Sequence, residues 1–119
     1  MNLTTTETYL VLLYGDETLW RARDASALEA LGASHRTFRE RAAEHGHTIV
    51  GGHELEYAET ALVVRRSRHG EPVVSEGPFA ETVEQLGGYY VVRTADPKGL
   101  AELVASTLTE DADIRPARG

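Results

Sequence analysis

The sequence contains no cysteine, which removes a disulfide framework, a thiolate nucleophile and any cysteine-based zinc site. This fits a reducing compartment, and a cytoplasmic location is expected. Metal binding would have to use histidine and carboxylates. Basic residues are scarce, with 12 Lys and Arg against 19 Asp and Glu and a net charge of −7. Non-specific nucleic-acid binding needs dense lysine and arginine to displace counterions, so no nucleic-acid partner is expected. Long hydrophobic runs are also missing. The longest near the start, Tyr9 to Tyr14, falls short of a signal-peptide core and of the roughly 20 residues that span a bilayer, so no membrane partner is expected. There is no Gly-rich phosphate loop, serine elbow, dinucleotide fingerprint, internal repeat or low-complexity segment, and no cofactor is expected.

What is present suits one domain over 1–119, long enough to bury roughly two thirds of its unfolded surface. Met1 to Thr6 is polar and aperiodic and predicts a frayed tail. Tyr9 to Tyr14, Thr60 to Val64 and Gly88 to Val92 are rich in apolar residues without clean alternation, the pattern of strands covered on both faces. Between the first two strands, Asp24 or the Ser26-Ala27-Leu28-Glu29 capping box starts a helix that Gly46 ends. Its buried stripe reads Leu28, Leu31, His35, Phe38 and Ala42. Asp96 caps a second helix with Pro97 at its first position, burying Leu100, Leu103, Val104 and Leu108. The basic cluster Arg65 to Gly70 reads as a hairpin tip leading to Glu71-Pro72-Val73-Val74, and Ala112 to Arg115 as an edge strand.

The order is strand, helix, strand, strand, added strand, strand, helix, strand. It predicts a ferredoxin-like α+β fold, an antiparallel sheet with two helices on one face. Strands apolar on both sides would leave the bare sheet face wet, so a homodimer is expected. Ser75-Glu76-Gly77-Pro78-Phe79-Ala80-Glu81-Thr82 followed by Gly87-Gly88-Tyr89-Tyr90 resembles the signature of the DGPF-type, YCII-related family of small bacterial proteins. Tyr14-Gly15-Asp16-Glu17, Phe38, Gly46, Val50-Gly51-Gly52, Thr60-Ala61 and Arg65 extend the match from Tyr9 to about Arg115. The resemblance implies a dimeric α/β barrel, and an association with extracytoplasmic-function sigma factor regulation as a non-enzymatic accessory or sensor. Two positions differ from the family pattern: Glu76 stands where aspartate is usual, and Val83 replaces a lysine.

His35 lies on the apolar stripe three residues before Phe38. It is either a core histidine satisfied by a carbonyl or a tyrosine hydroxyl, the reading weighted first, or an acid/base group in a cleft. His35-Arg36-Thr37-Phe38 also resembles the His-x-x-aromatic of YCII-like proteins, which implies the second role. Glu76 and Glu81 flank Gly77-Pro78-Phe79, where proline and glycine shape a loop able to aim carboxylates. With His35 they make a candidate catalytic set for cofactor-free acid/base chemistry. Alternatively Phe79 plugs the core and the glutamates are solvated. Tyr14, Asp16, Phe79 and Tyr89 are candidate contacts for a small-molecule ligand, with Asp16 read first as a cap for the turn carrying Glu17 to Trp20. Trp20 and Glu84 read as packing and surface respectively. His45, His47 and His53 lack a clustered carboxylate, and no metal is assigned to them. Gly51-Gly52 and Gly87-Gly88 fit bulges or close backbone packing.

Overall fold

The N-terminal apolar run forms the central strand β1 (Glu7–Asp16) of an antiparallel sheet. The computed structural model describes residues 5–118. Thus Met1 to Thr4 of the expected tail lie outside the described residues, while Thr6 accepts a hydrogen bond from Arg93 at 3.1 Å. A short helix α1 (Glu17–Arg21) and a long helix α2 (Ala25–Glu44) follow, then β2 (Thr48–Glu54). A 3-10 turn (Ala58–Thr60) leads into β3 (Leu62–Arg66) and β4 (Pro72–Glu76). The chain closes with β5 (Glu84–Thr94), α3 (Pro97–Thr107) and β6 (Asp111–Pro116).

The main sheet has the order β2-β5-β1-β6, and β3 and β4 pair separately. Omitting the β3–β4 hairpin leaves a strand, helix, strand, strand, helix, strand unit compatible with the ferredoxin-like fold. The expected edge strand is β6, hydrogen-bonded to β1.

The helices start and stop where side chains satisfy their free backbone groups. The Asp24 carboxylate accepts from Ala27 N at 2.8 Å, and Gly46 takes a left-handed φ of 81° past the end of α2. Asp96 accepts from Gly99 N at 3.0 Å, ahead of Pro97.

Phe38 and Ala42 of α2, and Leu100, Leu103 and Val104 of α3, pack on Val11, Leu13 and Val92 of the sheet. Leu31 and His35 are half-buried, whereas Leu28 is exposed, so the expected stripe fades toward the start of α2. There the helix extends beyond the packed core.

The strands do not share one environment. On β1, Val11 and Leu13 are buried beneath the helices, while Leu10 and Leu12, on the opposite face beside Val91 and Tyr89 of β5, are half-buried. The expectation that Thr60 to Val64 is a strand covered on both faces is corrected: Thr60 ends the 3-10 turn, and of β3 only Val63 is buried. The reason is topological, since β3 pairs with β4 alone and no second layer covers Leu62 and Val64.

The paired glycines serve close approach. The β1–β5 register shifts at Gly87, and the β2–β5 register shifts at Val50. A Cβ on Gly15 would lie 2.5 Å from the Trp20 ring, and one on Gly87 would run into the same ring. Trp20 is therefore seated on the backbones of β1 and β5.

Candidate functional site

The sequence-predicted site residues divide among three places. His35 lies on the helix side of the sheet, where α2 sets it over β5. Its Nδ1 shares a 2.7 Å hydrogen bond with the Tyr90 hydroxyl, and its Nε2 shares another of 2.7 Å with Glu110 Oε2. The side chains of His35 and Glu110 are only 17% and 11% exposed. Phe38, one turn along α2, packs on Tyr90 with ring centroids 5.0 Å apart. His35 thus has the tyrosine hydroxyl of its core reading and, in addition, a carboxylate from a distant segment.

The electrostatics of this cluster follow from burial and pairing. Burial, the largest single influence, pushes the Glu110 carboxyl up, but the hydrogen bond and charge of His35 and the backbone hydrogen bonds of Glu110 and Thr109 together outweigh it and hold the group below its ordinary value. Burial raises the Tyr90 phenol, against the pull of the nearby Arg39 guanidinium. Both ring nitrogens of His35 are engaged by neighbours other than Glu76 and Glu81.

Glu76, the last residue of β4, and Glu81 are both exposed. Phe79 is exposed too, so it does not plug the core. The Arg65 guanidinium lies 4.2 Å from the Phe79 ring centroid and also donates to the Phe79 carbonyl.

The Gly-Pro-Phe loop instead borders a cleft of about 340 Å³, lined in part by Asp16, Arg21, Glu59, Pro78 and Gln85. Its walls are tied from several segments. Asp16 caps α1, accepting from Thr18 N at 2.8 Å, and Glu17 accepts from Ala58 N at 2.8 Å. Arg21 pairs with Glu59 at 2.6 Å and stacks 4.0 Å from the Tyr57 ring centroid. Gln85 donates to the carbonyls of Ala80 at 2.8 Å and Thr82 at 3.0 Å, and Gly77 N donates to Ala61 O at 2.6 Å. Three carboxylates, Asp16, Glu17 and Glu59, outnumber the one guanidinium, Arg21, so the lining carries an excess of negative charge.

Tyr14 lines a second groove of about 440 Å³ with Thr82, Glu84, Asp111, Ala112 and Asp113. Register places Tyr14 opposite Asp111, Asp16 opposite Glu84 and Leu12 opposite Asp113, so this acidic end belongs to the sheet face away from α2 and α3. Tyr89 shares that face, its ring centroid 6.0 Å from that of His53. Of the other histidines, His45 ends α2 in an exposed position, and His47 is buried with Nδ1 2.8 Å from Thr94 Oγ1. Among the described residues no helix is long and apolar enough to cross a membrane.

Sequence reasoning missed Glu110, Tyr90, Arg21, Glu59 and Gln85. Glu110 is 75 positions from His35, and no local pattern announces that pairing. Arg21 and Glu59 become partners only when the 3-10 turn folds back onto α1.

Comparison with known proteins places these elements within a described family. The YCII-related domain profile matches residues 8–112. The chain is also similar to an uncharacterised protein of Rhizobium meliloti (strain 1021), with 34% identity over 91 residues, covering 73% of this chain and 68% of that protein.

Proposed function

Because the chain belongs to the YCII-related family, we propose that it acts as a homodimeric small-molecule-binding domain whose ligand occupies the cleft beside the Gly-Pro-Phe loop. The observation that carries this reading is convergence. Asp16 to Arg21, Ala58 with Glu59, and the segment from Pro78 to Gln85 meet around one space of about 340 Å³, within the range of small-ligand sites. Their hydrogen bonds hold the walls before any ligand arrives, which lowers the ordering cost of binding. The carboxylate excess points to a small polar molecule bearing amino or hydroxyl groups.

Dimerisation rests on the uncovered sheet face. Leu10, Leu12, Tyr89 and Val91 lie there half-buried, and a second sheet packed against them would make the dimeric α/β barrel that the family resemblance implies. Binding is favoured over acid/base catalysis through His35 and Glu81, because His35 is engaged at both nitrogens and Glu81 stands exposed. This favours an accessory or sensor role, and a link to sigma-factor regulation is one form of it.

A second reading has its own support. The chain Glu110, His35, Tyr90 is a carboxylate, imidazole and phenol in hydrogen-bond sequence, able in principle to move a proton to or from the Tyr90 oxygen. Under that reading, Tyr90→Phe removes a reaction and leaves ligand binding intact.

Trp20, the sole tryptophan, sits on α1 beside the cleft and supplies the assay. Titration with a set of primary-amine and amino-alcohol fragments should change its emission saturably for a subset. Glu59→Gln and Asp16→Asn, which each remove a negative charge from the lining, should each weaken that response. No saturable response from any fragment, or responses indifferent to both replacements, would remove the cleft from consideration.

A further inference from the structure

The β3–β4 hairpin is the part of the fold least accounted for by a single copy. Register puts Leu62, Val64, Val74 and Pro72 on one face of the hairpin, and that face is open: Leu62 is 79% and Val74 67% exposed. A two-stranded hairpin without a covering layer is marginal in water. The chain is also extended for its length, with a radius of gyration of 16.8 Å and extents of 54 × 41 × 18 Å, whereas a compact domain of this size has a radius of about 13.5 Å.

The tip of the hairpin carries charge opposite to that of the molecule. Arg65, Arg66 and Arg68 cluster there in a chain of net charge −7. Arg65 is engaged by Phe79, but Arg66 and Arg68 form no ion pair among the described residues. The acidic groove beside Tyr14 has the complementary need. Glu84 and Asp111 line that groove together, and the hydrogen bond and charge of Asp111 raise the Glu84 carboxyl. Among the described residues neither carboxyl forms an ion pair with a lysine or arginine.

We propose that the hairpin is an exchanged arm: Arg66 and Arg68 of one copy seat in the acidic groove of a second copy, against Glu84 and Asp111, while Leu62 and Val74 cover apolar surface beside it. The arm then completes the groove with residues that its own chain does not supply. Guanidinium groups suit this position because their planar donor fork matches paired carboxylates. The proposal deepens the homodimer reading and assigns the second copy a role in the site.

The test is a reciprocal charge swap followed by sedimentation velocity, with far-UV circular dichroism to verify that each variant is folded. One chain carries Arg66→Glu and Arg68→Glu, the other Glu84→Lys and Asp111→Lys. Each alone sets like charges together at both contacts, and its dimer dissociation constant should rise by roughly a hundredfold, since like-charge juxtaposition costs several kcal/mol. Mixing the two chains restores opposite charges at both contacts and should recover a heterodimer. Unchanged self-association in both variants would overturn the arm while leaving sheet-face pairing intact. A wild-type chain that stays monomeric would overturn both.

The absence of native cysteine permits a second measurement. Arg68→Cys with Asp111→Cys, oxidised, should give a linked species of twice the 13.0 kDa chain mass on a denaturing gel. Exclusively monomeric bands from that variant would refute the seating of the tip.

Discussion

Replacing His35 and Glu110 singly and together measures how strongly their contact binds α2 to the segment entering β6. The two side chains are mostly shielded from water and 2.7 Å apart, so screening is weaker than at the surface. A hydrogen bond involving a charged group contributes about 1.5–3 kcal/mol, which sets the expected coupling in a cycle of His35→Gln, Glu110→Gln and the double variant. For a domain of this size, one kcal/mol moves the melting temperature by about 4 °C. Loss of the contact should therefore lower it by roughly 6–12 °C.

The same contact predicts a pH signature. Because the folded Glu110 carboxyl lies below its ordinary value of 4.5, the unfolded chain binds this proton more readily. The contribution is complete above that ordinary value and is lost as pH falls through the lower folded one. Urea denaturation followed by circular dichroism should show a shallower acid limb for Glu110→Gln than for the wild type. Additivity within about 0.5 kcal/mol, or parallel acid limbs, would refute the view that this contact ties the helix down.

Two further outcomes concern the core around the site. Phe38 is fully buried and packs on Tyr90, so Phe38→Ala should cost about 3–5 kcal/mol in chemical denaturation. His47 is also buried, and burial, the largest influence on it, lowers its imidazole below the ordinary 6.5. Below that value the unfolded state takes up a proton that the folded state resists, so stability falls with pH. His47→Gln should flatten this slope between about pH 7 and pH 5 in urea titrations.

Local signals carried much of the architecture. Asp24, Asp96 with Pro97, and Gly46 mark helix ends through hydrogen bonds or backbone angles that involve close neighbours, so they are readable from adjacent letters. The three-and-four spacing of Phe38 and Ala42 likewise identified the inward face of α2. Apolar composition in β3 was less informative, because it does not reveal whether a second layer will arrive. Leu62 resembles a core residue in the sequence and stands exposed in the fold.

The candidate site lies at the opposite extreme. His35 stood out early, and a tyrosine hydroxyl was among its foreseen partners, but the carboxylate beside it is Glu110, brought there by the turn from α3 into β6. Arg21 likewise meets Glu59 only when the 3-10 turn comes back onto α1. Backbone preferences and capping act over a few residues and were written in the order of amino acids. Pairings between distant side chains depend on where whole elements pack, and in this protein that placement decided which carboxylate met the histidine and which residues walled the cleft.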